Sequence, residues 1–252
     1  MTKRKTVTII IIVAAVLLVG YLAVSIVVPR VMLHITIKET LSDVGDGAEY
    51  FKEYSVNHTG GTISADNGYI AVDIPEVYKK QDELSTSQLY RKNDTNYICI
   101  LEYDDFSEFN LLDPQNYENY DFEVEIGIEE FVAGVESFGK GLPDSAYGTY
   151  KCIYMMDKDD YNPFNFNNQV AYYAMGTLKT VVGTWGAVTV YENDNICGFV
   201  HISERTYIEE GAKYFGLLEI YSKDNLNELT TIMIHTDNLQ EIYATMNSAR
   251  PA

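Results

Sequence analysis

The pattern of hydrophobic positions divides the chain into one long apolar run and a remainder in which apolar and polar residues alternate. The run begins at Val7 and ends at Val28, and its 22 residues include no charged side chain and no proline. A helix of this length rises about 33 Å, which is enough to cross the hydrocarbon core of a bilayer. The pattern therefore predicts a transmembrane anchor at residues 7–28 and a single crossing of the membrane.

The charged residues that flank the run predict its orientation. Three bases at positions 3–5 precede it, whereas Arg30 is the only base close behind it. Positively charged flanks stay cytoplasmic, so we expect a cytoplasmic tail at 1–6 and the rest of the chain outside the cell membrane. A cleaved signal peptide is the alternative, because residues 23–25 resemble a cleavage site, but signal sequences have apolar regions of only about 7–15 residues.

Beyond the run, the spacing of apolar residues changes between a period of two, typical of strands, and a period near 3.6, typical of helices. The strands that it predicts are 68–74, 88–91, 97–103, 150–156, 186–191, 196–203 and 214–222. The helices that it predicts are 126–138, 168–182, 225–233 and 238–246. Polar turns at 92–96 and 192–195 join four of the strands into hairpins, which implies antiparallel pairing. The predicted fold class is therefore α+β, an antiparallel β-sheet packed with helices.

The segment between the run and the first predicted strand is expected to form a stalk or linker. Its first part, 31–37, is apolar and either extends the anchor helix or begins the stalk. Its second part is polar, with several glycines and acidic residues and a short helix predicted near 48–54. We therefore expect a linker at 29–61 and an extracytoplasmic globular domain at 62–252.

Two stretches and the order of the predicted elements resemble the PsbP/Mog1-like α/β sandwich. The stretches are a strand that ends in a proline, GYIAVDIPEVY at 68–78, and a C-terminal helix, NLQEIYATMNSA at 238–249. The resemblance covers residues 62–249, although the long helix at 168–182 departs from the family pattern. It implies this fold and a habit of binding ligands or partners, but no particular reaction, because the family is functionally diverse.

The part of the chain beyond the run is strongly acidic. Four of the 18 basic residues and none of the 37 acidic residues lie within positions 1–30, so the remainder has a net charge of −23. Such a surface repels nucleic acid, and no nucleic-acid partner is expected. Hydrophobic residues make up 46% of the chain, which indicates a packed domain, and its 21 tyrosines suit both strands and recognition surfaces.

Three cysteines, Cys99, Cys152 and Cys197, lie in apolar stretches. An odd number allows at most one intramolecular pair to be oxidised, and buried thiols are the expectation. Cys197 is followed by His201 and Arg205, which are the residue types that sortase-type transpeptidases use, but the Thr-Leu-x-Thr-Cys motif is not present. A cell-envelope hydrolase or transpeptidase that uses carboxylates or Cys197 is therefore an alternative function.

Histidines offer little for a metal site. The four of them are isolated from one another along the chain and are His34, His58, His201 and His235. His201 and Glu204 have the spacing of an H-x-x-E pair, but on a strand their side chains would face opposite sides. His235, near the end of a predicted helix, is expected to be packed or to interact with the helix dipole.

Three aspartates, Asp157, Asp159 and Asp160, lie close together as in a calcium-binding loop. However, Asn162 and Asn168 occupy the positions where an EF-hand loop requires glycine and glutamate. A solvated acidic loop is the simpler interpretation, and a divalent-cation-binding domain is a second alternative function.

No serine-hydrolase, Walker A or dinucleotide-binding motif is present, and no cofactor is predicted. The apolar run, the acidic tyrosine-rich composition and the lack of catalytic signatures predict a membrane-anchored extracytoplasmic binding or interaction domain. Its expected partners are the membrane, through residues 7–28, and an envelope protein or a wall component.

Overall fold

The structure of the chain is a computed structural model that describes residues 14–15, 17–21, 23–41, 44–51, 57–81, 87–101, 112, 127–182, 187–204 and 211–252. The expected cytoplasmic tail and part of the predicted anchor lie outside this range. The helices of the described part are α1 (Val28–Thr40), α2 (Ile128–Glu136), α3 (Ala146–Met155), α4 (Phe166–Val182) and α5 (Leu239–Asn247). The strands, in chain order, are β1 (Glu49–Tyr50), β2 (Thr62–Asp66), β3 (Ile70–Pro75), β4 (Lys79–Lys80), β5 (Ser87–Arg91), β6 (Tyr97–Leu101), β7 (Ala187–Glu192), β8 (Ile196–Glu204), β9 (Tyr214–Ser222), β10 (Asn225–Thr236) and β11 (Arg250–Pro251).

The N-terminal helix is long and apolar enough to span a membrane. It covers Leu17–Thr40 and includes a π-helical turn, Ala23–Val27, that leads into α1. Pro29 lies in the first turn of α1 and has no N–H to donate to the carbonyl four residues earlier. A π-helical turn before a proline is one of the local adjustments by which a helix accommodates that loss.

An eight-stranded sheet forms the centre of the fold, and its strands lie in the order β1-β7-β8-β9-β10-β6-β5-β4. Neighbouring strands are antiparallel except for the parallel pair of β1 and β7. A second sheet has three strands in the order β11-β3-β2 and is antiparallel throughout. The α+β class predicted from the sequence is confirmed.

Both predicted hairpins are confirmed, and an asparagine directs each turn. Strands β5 and β6 pair around a turn in which Asn93 Oδ1 accepts from the N–H groups of Thr95 and Asn96. Strands β7 and β8 pair around a turn in which Asn193 accepts from the backbone in the same way. Asparagine favours such turns because its side chain satisfies backbone donors two residues later.

The large sheet separates two hydrophobic clusters. Helices α1 to α4 cover one face, and the small sheet together with α5 covers the other. Strand β8 shows the division, since Cys197 and Phe199 point to the helices while Ile196 and Val200 point to the small sheet. Successive side chains of a strand face opposite sides, so a strand buried on both faces has few polar residues.

The predicted strand at 150–156 is wrong, because these residues belong mainly to helix α3. The helix begins after Ser145, whose Oγ accepts from the N–H of Gly148 at 3.0 Å. Its side chains are buried almost all round, including Tyr150, Cys152 and Ile153. A helix buried on every side lacks the polar face that distinguishes it from a strand in sequence.

The predicted helix at 225–233 is also wrong, because the segment is the first part of the twelve-residue strand β10. Leu229 and Ile232 have helical spacing, but in the strand Leu229 faces the helices and Ile232 faces the small sheet. A register shift between Asn225 and Leu229 further interrupts the period of two. Burial on both faces, together with a bulge, gives the apolar residues of this strand a spacing that resembles that of a helix.

Residues 29–61 differ from the stalk that the sequence predicts, because part of this segment lies in the core. Leu33 and Ile37 of α1, and Leu41 and Val44 after it, are at most 6% exposed and join the helix-side cluster. Residues 49 and 50, expected in a short helix, form strand β1 against β7 instead. The apolar stretch 31–37 therefore extends the N-terminal helix into the domain.

The three cysteines are free and buried, so the expectation of buried thiols is confirmed and no pair is oxidised. Cys152 and Cys197 belong to the helix-side cluster, and Cys99 lies on the same face of the sheet in β6. Burial raises the pKa of Cys152 and that of Cys197 to about 12, so both stay protonated at neutral pH.

We expect Gly134→Ala to destabilise the chain, although alanine is the better helix former. A Cβ at Gly134 would lie 2.8 Å from the Cβ of Ala171 and closer still to the backbone oxygen of Asn167, where α2 crosses α4. Overpacking of this kind costs about 1–3 kcal/mol of unfolding free energy.

Urea denaturation of the full chain in detergent measures this effect, with Ala133→Ser on the exposed side of α2 as the control. A gain of stability in Gly134→Ala, as helix propensity alone would give, contradicts the close packing of α2 on α4.

Candidate functional site

A polar cleft of about 640 Å³ opens on the small-sheet side of the molecule. It is lined by residues 57–61 before β2, by 75–77 after β3, by Lys92 in the β5–β6 turn, and by Asn238, Gln240 and Glu241 at the start of α5. Asn238 caps α5, since its Oδ1 accepts from the N–H of Gln240 at 3.2 Å. The cap fixes the first turn of the helix, and with it the position of Glu241.

The carboxylate of Glu241 lies at the floor of the cleft and is largely buried. Its Oε2 accepts hydrogen bonds from Tyr78 Oη at 2.7 Å and from Thr236 Oγ1 at 2.6 Å. Its Oε1 lies 3.9 Å from Lys92 Nζ. Burial raises the pKa of Tyr78 well above its usual value, so the phenol remains a donor to the carboxylate. A charge-assisted network of this kind keeps Glu241 in one orientation.

His58 also lines the cleft, and its ring is hydrogen-bonded to the backbone. Its Nε2 lies 2.6 Å from the carbonyl oxygen of Asp73, so Nε2 carries the proton and donates. Burial lowers the pKa of His58 against the opposing influence of that hydrogen bond and of Glu241, which favours the neutral ring. Nδ1 then has a lone pair, but this atom is buried from solvent, and it has no hydrogen-bond partner among the described residues. A buried acceptor left unpaired costs about 1–3 kcal/mol.

The remaining lining of the cleft is polar and close to neutral. Among the described residues, Glu76 and Glu241 supply two negative charges and Lys92 one positive charge, while Asn57, Asn238 and Gln240 supply amides. Carboxylate oxygens accept hydrogen bonds, and amides both accept and donate. The arrangement therefore suits a small polar ligand whose own groups, such as hydroxyls or an amine, donate hydrogen bonds.

Sequence reasoning identified His58 only as an isolated histidine and did not identify Glu241, Lys92 or Tyr78. Glu241 is one of 37 acidic residues, and nothing next to it in sequence marks it as buried. Its two donors, Tyr78 and Thr236, come from a turn and a strand that are distant from each other in sequence. A helix cap at Asn238 was the one local signal near the site.

The structure does not bring Cys197 and His201 together. They lie four residues apart on strand β8, a distance of about 13 Å along an extended chain, with Phe199 between them. Cys197 is 1% exposed, and burial raises its pKa to about 12, whereas nucleophilic cysteines have lowered pKa values. Arg205 lies outside the described residues.

His201 instead belongs to a buried polar cluster under α3. Its Nε2 donates to Glu219 Oε2 at 2.7 Å, and Tyr154 Oη donates to the same oxygen at 3.2 Å. Glu204 lies apart from His201 at the exposed end of β8, where it pairs with Lys213 at 3.3 Å. The His201 cluster lies on the opposite face of the sheet from the cleft and stabilises the packing of α3.

The aspartate loop forms a capping box rather than an open cation site. Asp157 Oδ1 accepts from the N–H of Asp159 at 2.7 Å, and Asp160 Oδ2 accepts from the N–H of Asp157 at 2.8 Å. Lys140 Nζ lies 3.1 Å from Asp157 Oδ2 and 3.6 Å from Asp160 Oδ1, so an ammonium group occupies the place of a cation. Burial opposes ionisation of Asp157, but the hydrogen bonds from Lys140 and the backbone outweigh it and lower the pKa.

The other two histidines are held by aromatic rings. His34 stacks on Tyr161, with its Nδ1 2.5 Å from the phenol oxygen. His235 lies in strand β10 instead of a helix and stacks on Tyr97. Within the described ranges, no group of three or more histidine, cysteine, aspartate or glutamate side chains is arranged to hold a metal ion.

The cleft is therefore the candidate site, because it combines volume with a fixed, largely buried carboxylate. A smaller cavity of about 440 Å³ lies between the segment around β1 and β7, and Tyr154 and Lys179 line it. The ammonium of Lys179 is already bonded there to the backbone oxygen of Asp46 at 3.0 Å. No protein-family model matches the chain, and no curated protein sequence matches it significantly.

We expect His58→Gln to reduce the loss of stability that the chain suffers on acidification. Because burial lowers the pKa of His58, the native state binds fewer protons than the unfolded state as the pH falls through the ordinary value of 6.5. The unfolding free energy of the wild type therefore decreases below that pH, and that of the variant decreases less.

Urea denaturation at pH 7.5 and 5.5 (about one unit either side of the ordinary histidine pKa) measures the difference. Glutamine retains an amide donor for the carbonyl of Asp73, so the substitution chiefly removes the titration. An equal or steeper acid loss in His58→Gln contradicts a neutral, buried His58.

Proposed function

We propose that the chain is a membrane-anchored extracytoplasmic domain that binds a hydrogen-bond-donating component of the cell envelope in the cleft floored by Glu241. The observation that carries this proposal is a carboxylate that Tyr78 and Thr236 hold in one orientation at the floor of a polar cleft. A carboxylate fixed in this way can accept further hydrogen bonds from a ligand that donates them, so the cleft is suited to recognition.

The membrane anchor is supported by the exposure of the apolar helix. Leu17, Leu18 and Val19 are 60–68% exposed on a helix that continues into the domain. A continuous apolar surface of this kind is unfavourable in water and favourable in lipid. The bases at positions 3–5 favour a cytoplasmic N-terminus. The net charge of −23 beyond Arg30 favours a domain that lies in water and not in the bilayer.

The chemistry of the cleft favours a wall component as the ligand. Wall polymers present many hydroxyl groups, and their peptides present amines, so both supply hydrogen-bond donors for Glu241 and for the amides of the cleft. Lys92 at the edge of the cleft adds one donor for an acceptor on the same ligand. A ligand- or partner-binding role is also what the PsbP/Mog1-like resemblance implies.

The two alternative functions receive less support. A hydrolase or transpeptidase that uses Cys197 requires an accessible thiolate, and this thiol is buried, protonated and distant from His201. A cation-binding domain at Asp157, Asp159 and Asp160 requires open carboxylates, and Lys140 and backbone donors already engage two of the three.

Photo-crosslinking in the native host tests the proposal directly. A benzophenone amino acid replaces either Val77, at the edge of the cleft and 55% exposed, or Tyr69, which is 50% exposed but outside the cleft. We expect the tagged full-length chain to form an adduct from position 77 and not from position 69. Mass spectrometry of the adduct separates a glycan or peptide from a partner protein.

A second pair of variants tests whether the cleft itself binds the captured molecule. Lys92→Ala removes the cation beside Glu241, and Lys213→Ala removes an exposed lysine outside the cleft, which pairs with Glu204. The adduct from position 77 should weaken in Lys92→Ala and persist in Lys213→Ala. Equal adducts from positions 77 and 69, or equal effects of the two lysine variants, reject the cleft as the binding site.

A further inference from the structure

Phe164 is a large apolar side chain that the fold holds out of the core. It is 94% exposed and lies in the turn 162–165, directly before α4. The turn is fixed by two hydrogen bonds, in which the N–H of Phe164 donates to Asn162 Oδ1 at 3.0 Å and the N–H of Asn165 donates to Asn162 O at 3.2 Å. Phe164 is therefore exposed on a turn of defined conformation, and the position of that turn in the fold decides what it can contact.

Helices α1 and α4 run parallel, and this determines on which side of the domain the turn 162–165 lies. At the beginning of both helices, the Arg30 guanidinium lies 5.1 Å from the centre of the Phe166 ring. Farther along both, a Cβ placed on Gly176 would lie 2.7 Å from Leu41 Cδ1. The two contacts are separated by about 15 Å along either helix, as parallel packing requires. The N-terminus of α4 therefore points to the same side as the apolar segment that precedes α1.

The segment 161–166, which leads into α4, also runs towards the apolar segment that precedes α1. Tyr161 stacks on His34, whereas Phe166 contacts Arg30, which lies four residues nearer the apolar segment. Four residues correspond to about 6 Å along the axis of α1. Phe164 lies between these two contacts in sequence, at the end of α4 that faces the apolar segment.

The charge pattern agrees with this placement. No charged residue occurs from position 161 to position 178, in a chain that is 22% charged. The acidic surface of the rest of the domain is repelled by anionic headgroups, but this uncharged stretch is not. Arg30, at the level of Phe166, has the charge that favours those headgroups.

We propose that the turn 162–165 inserts Phe164 into the interfacial layer of the bilayer, as a second membrane contact beside the transmembrane helix. The proposal rests on the membrane anchor of the proposed function. Aromatic side chains concentrate at this level of a membrane because part of the layer is apolar and part is hydrated. Two contacts at different points restrain the domain from swivelling on its anchor, so the cleft keeps one orientation towards the envelope.

Tryptophan fluorescence in nanodiscs tests the contact on the full chain. The lipid is unlabelled or brominated either in the upper part of its acyl chains, for position 164, or near their ends, for position 18, and Trp185 is first replaced by phenylalanine. One tryptophan is then introduced by Leu18→Trp in the anchor, by Phe164→Trp in the turn, or by Thr177→Trp on the exposed side of α4. Thr177 lies about 16 Å beyond Phe166 along α4, so it serves as the control outside the lipid.

Brominated lipid should reduce the emission of Leu18→Trp and Phe164→Trp and leave that of Thr177→Trp unchanged. Quenching at position 18 without quenching at position 164 overturns the interfacial contact and leaves the anchor intact. Absence of quenching at position 18 overturns the anchor itself, and the interfacial contact with it. Equal quenching at 164 and 177 also overturns the contact, because position 177 reports lipid access unrelated to the turn.

Discussion

The packing of α1 against α4 joins the apolar N-terminal helix to the domain, and the rest of the arrangement depends on it. Leu33 and Ile37 bury one side of α1 in the helix-side cluster, while Ile35 on the same helix stays 43% exposed. Burial of two such side chains contributes about 3–6 kcal/mol, which is comparable to the whole stability of many domains. Gly176 allows the close approach, because any larger side chain would meet Leu41.

The large sheet separates the structural features on which the two proposals rest. Its helix-covered face contains α1, the buried His201 cluster and the turn with Phe164. Its other face contains the small sheet, α5 and the cleft. The proposed binding site and the proposed membrane contact therefore lie in different layers of one domain.

The sequence predicts correctly those elements that are specified by residues close to one another along the chain. Asn93 and Asn193 direct their turns through their own side chains, so both hairpins could be found from the sequence. Helix α4 has an amphipathic pattern and was also found. Helix α3 and strand β10 are buried on more than one face, and their apolar residues follow no single period. In these two elements tertiary burial outweighs the periodic signal.

The candidate site was not predictable because its groups meet only after folding. Glu241 becomes distinctive when Tyr78 and Thr236 donate to it, and none of the three has a neighbour in sequence that signals the contact. The aspartate loop shows the converse, since its calcium-like spacing is a local pattern. Lys140, 17 residues before Asp157, forms an ion pair with it, and backbone N–H groups complete a helix cap with Asp157 and Asp160. Spacing alone does not reveal which charge neutralises a carboxylate.

The central claim is that α1 is part of the folded domain, and substitution of two isoleucines on that helix tests it most directly. Ile37 is 3% exposed, and Ile35 is the exposed matched control. Urea unfolding of the full chain should show a loss of about 0.5–1.5 kcal/mol for Ile37→Val and about 2–5 kcal/mol for Ile37→Ala. The same two substitutions at Ile35 should change the unfolding free energy by less than about 0.5 kcal/mol. Equal losses at the two positions would contradict the account, because α1 would then be a tether outside the core.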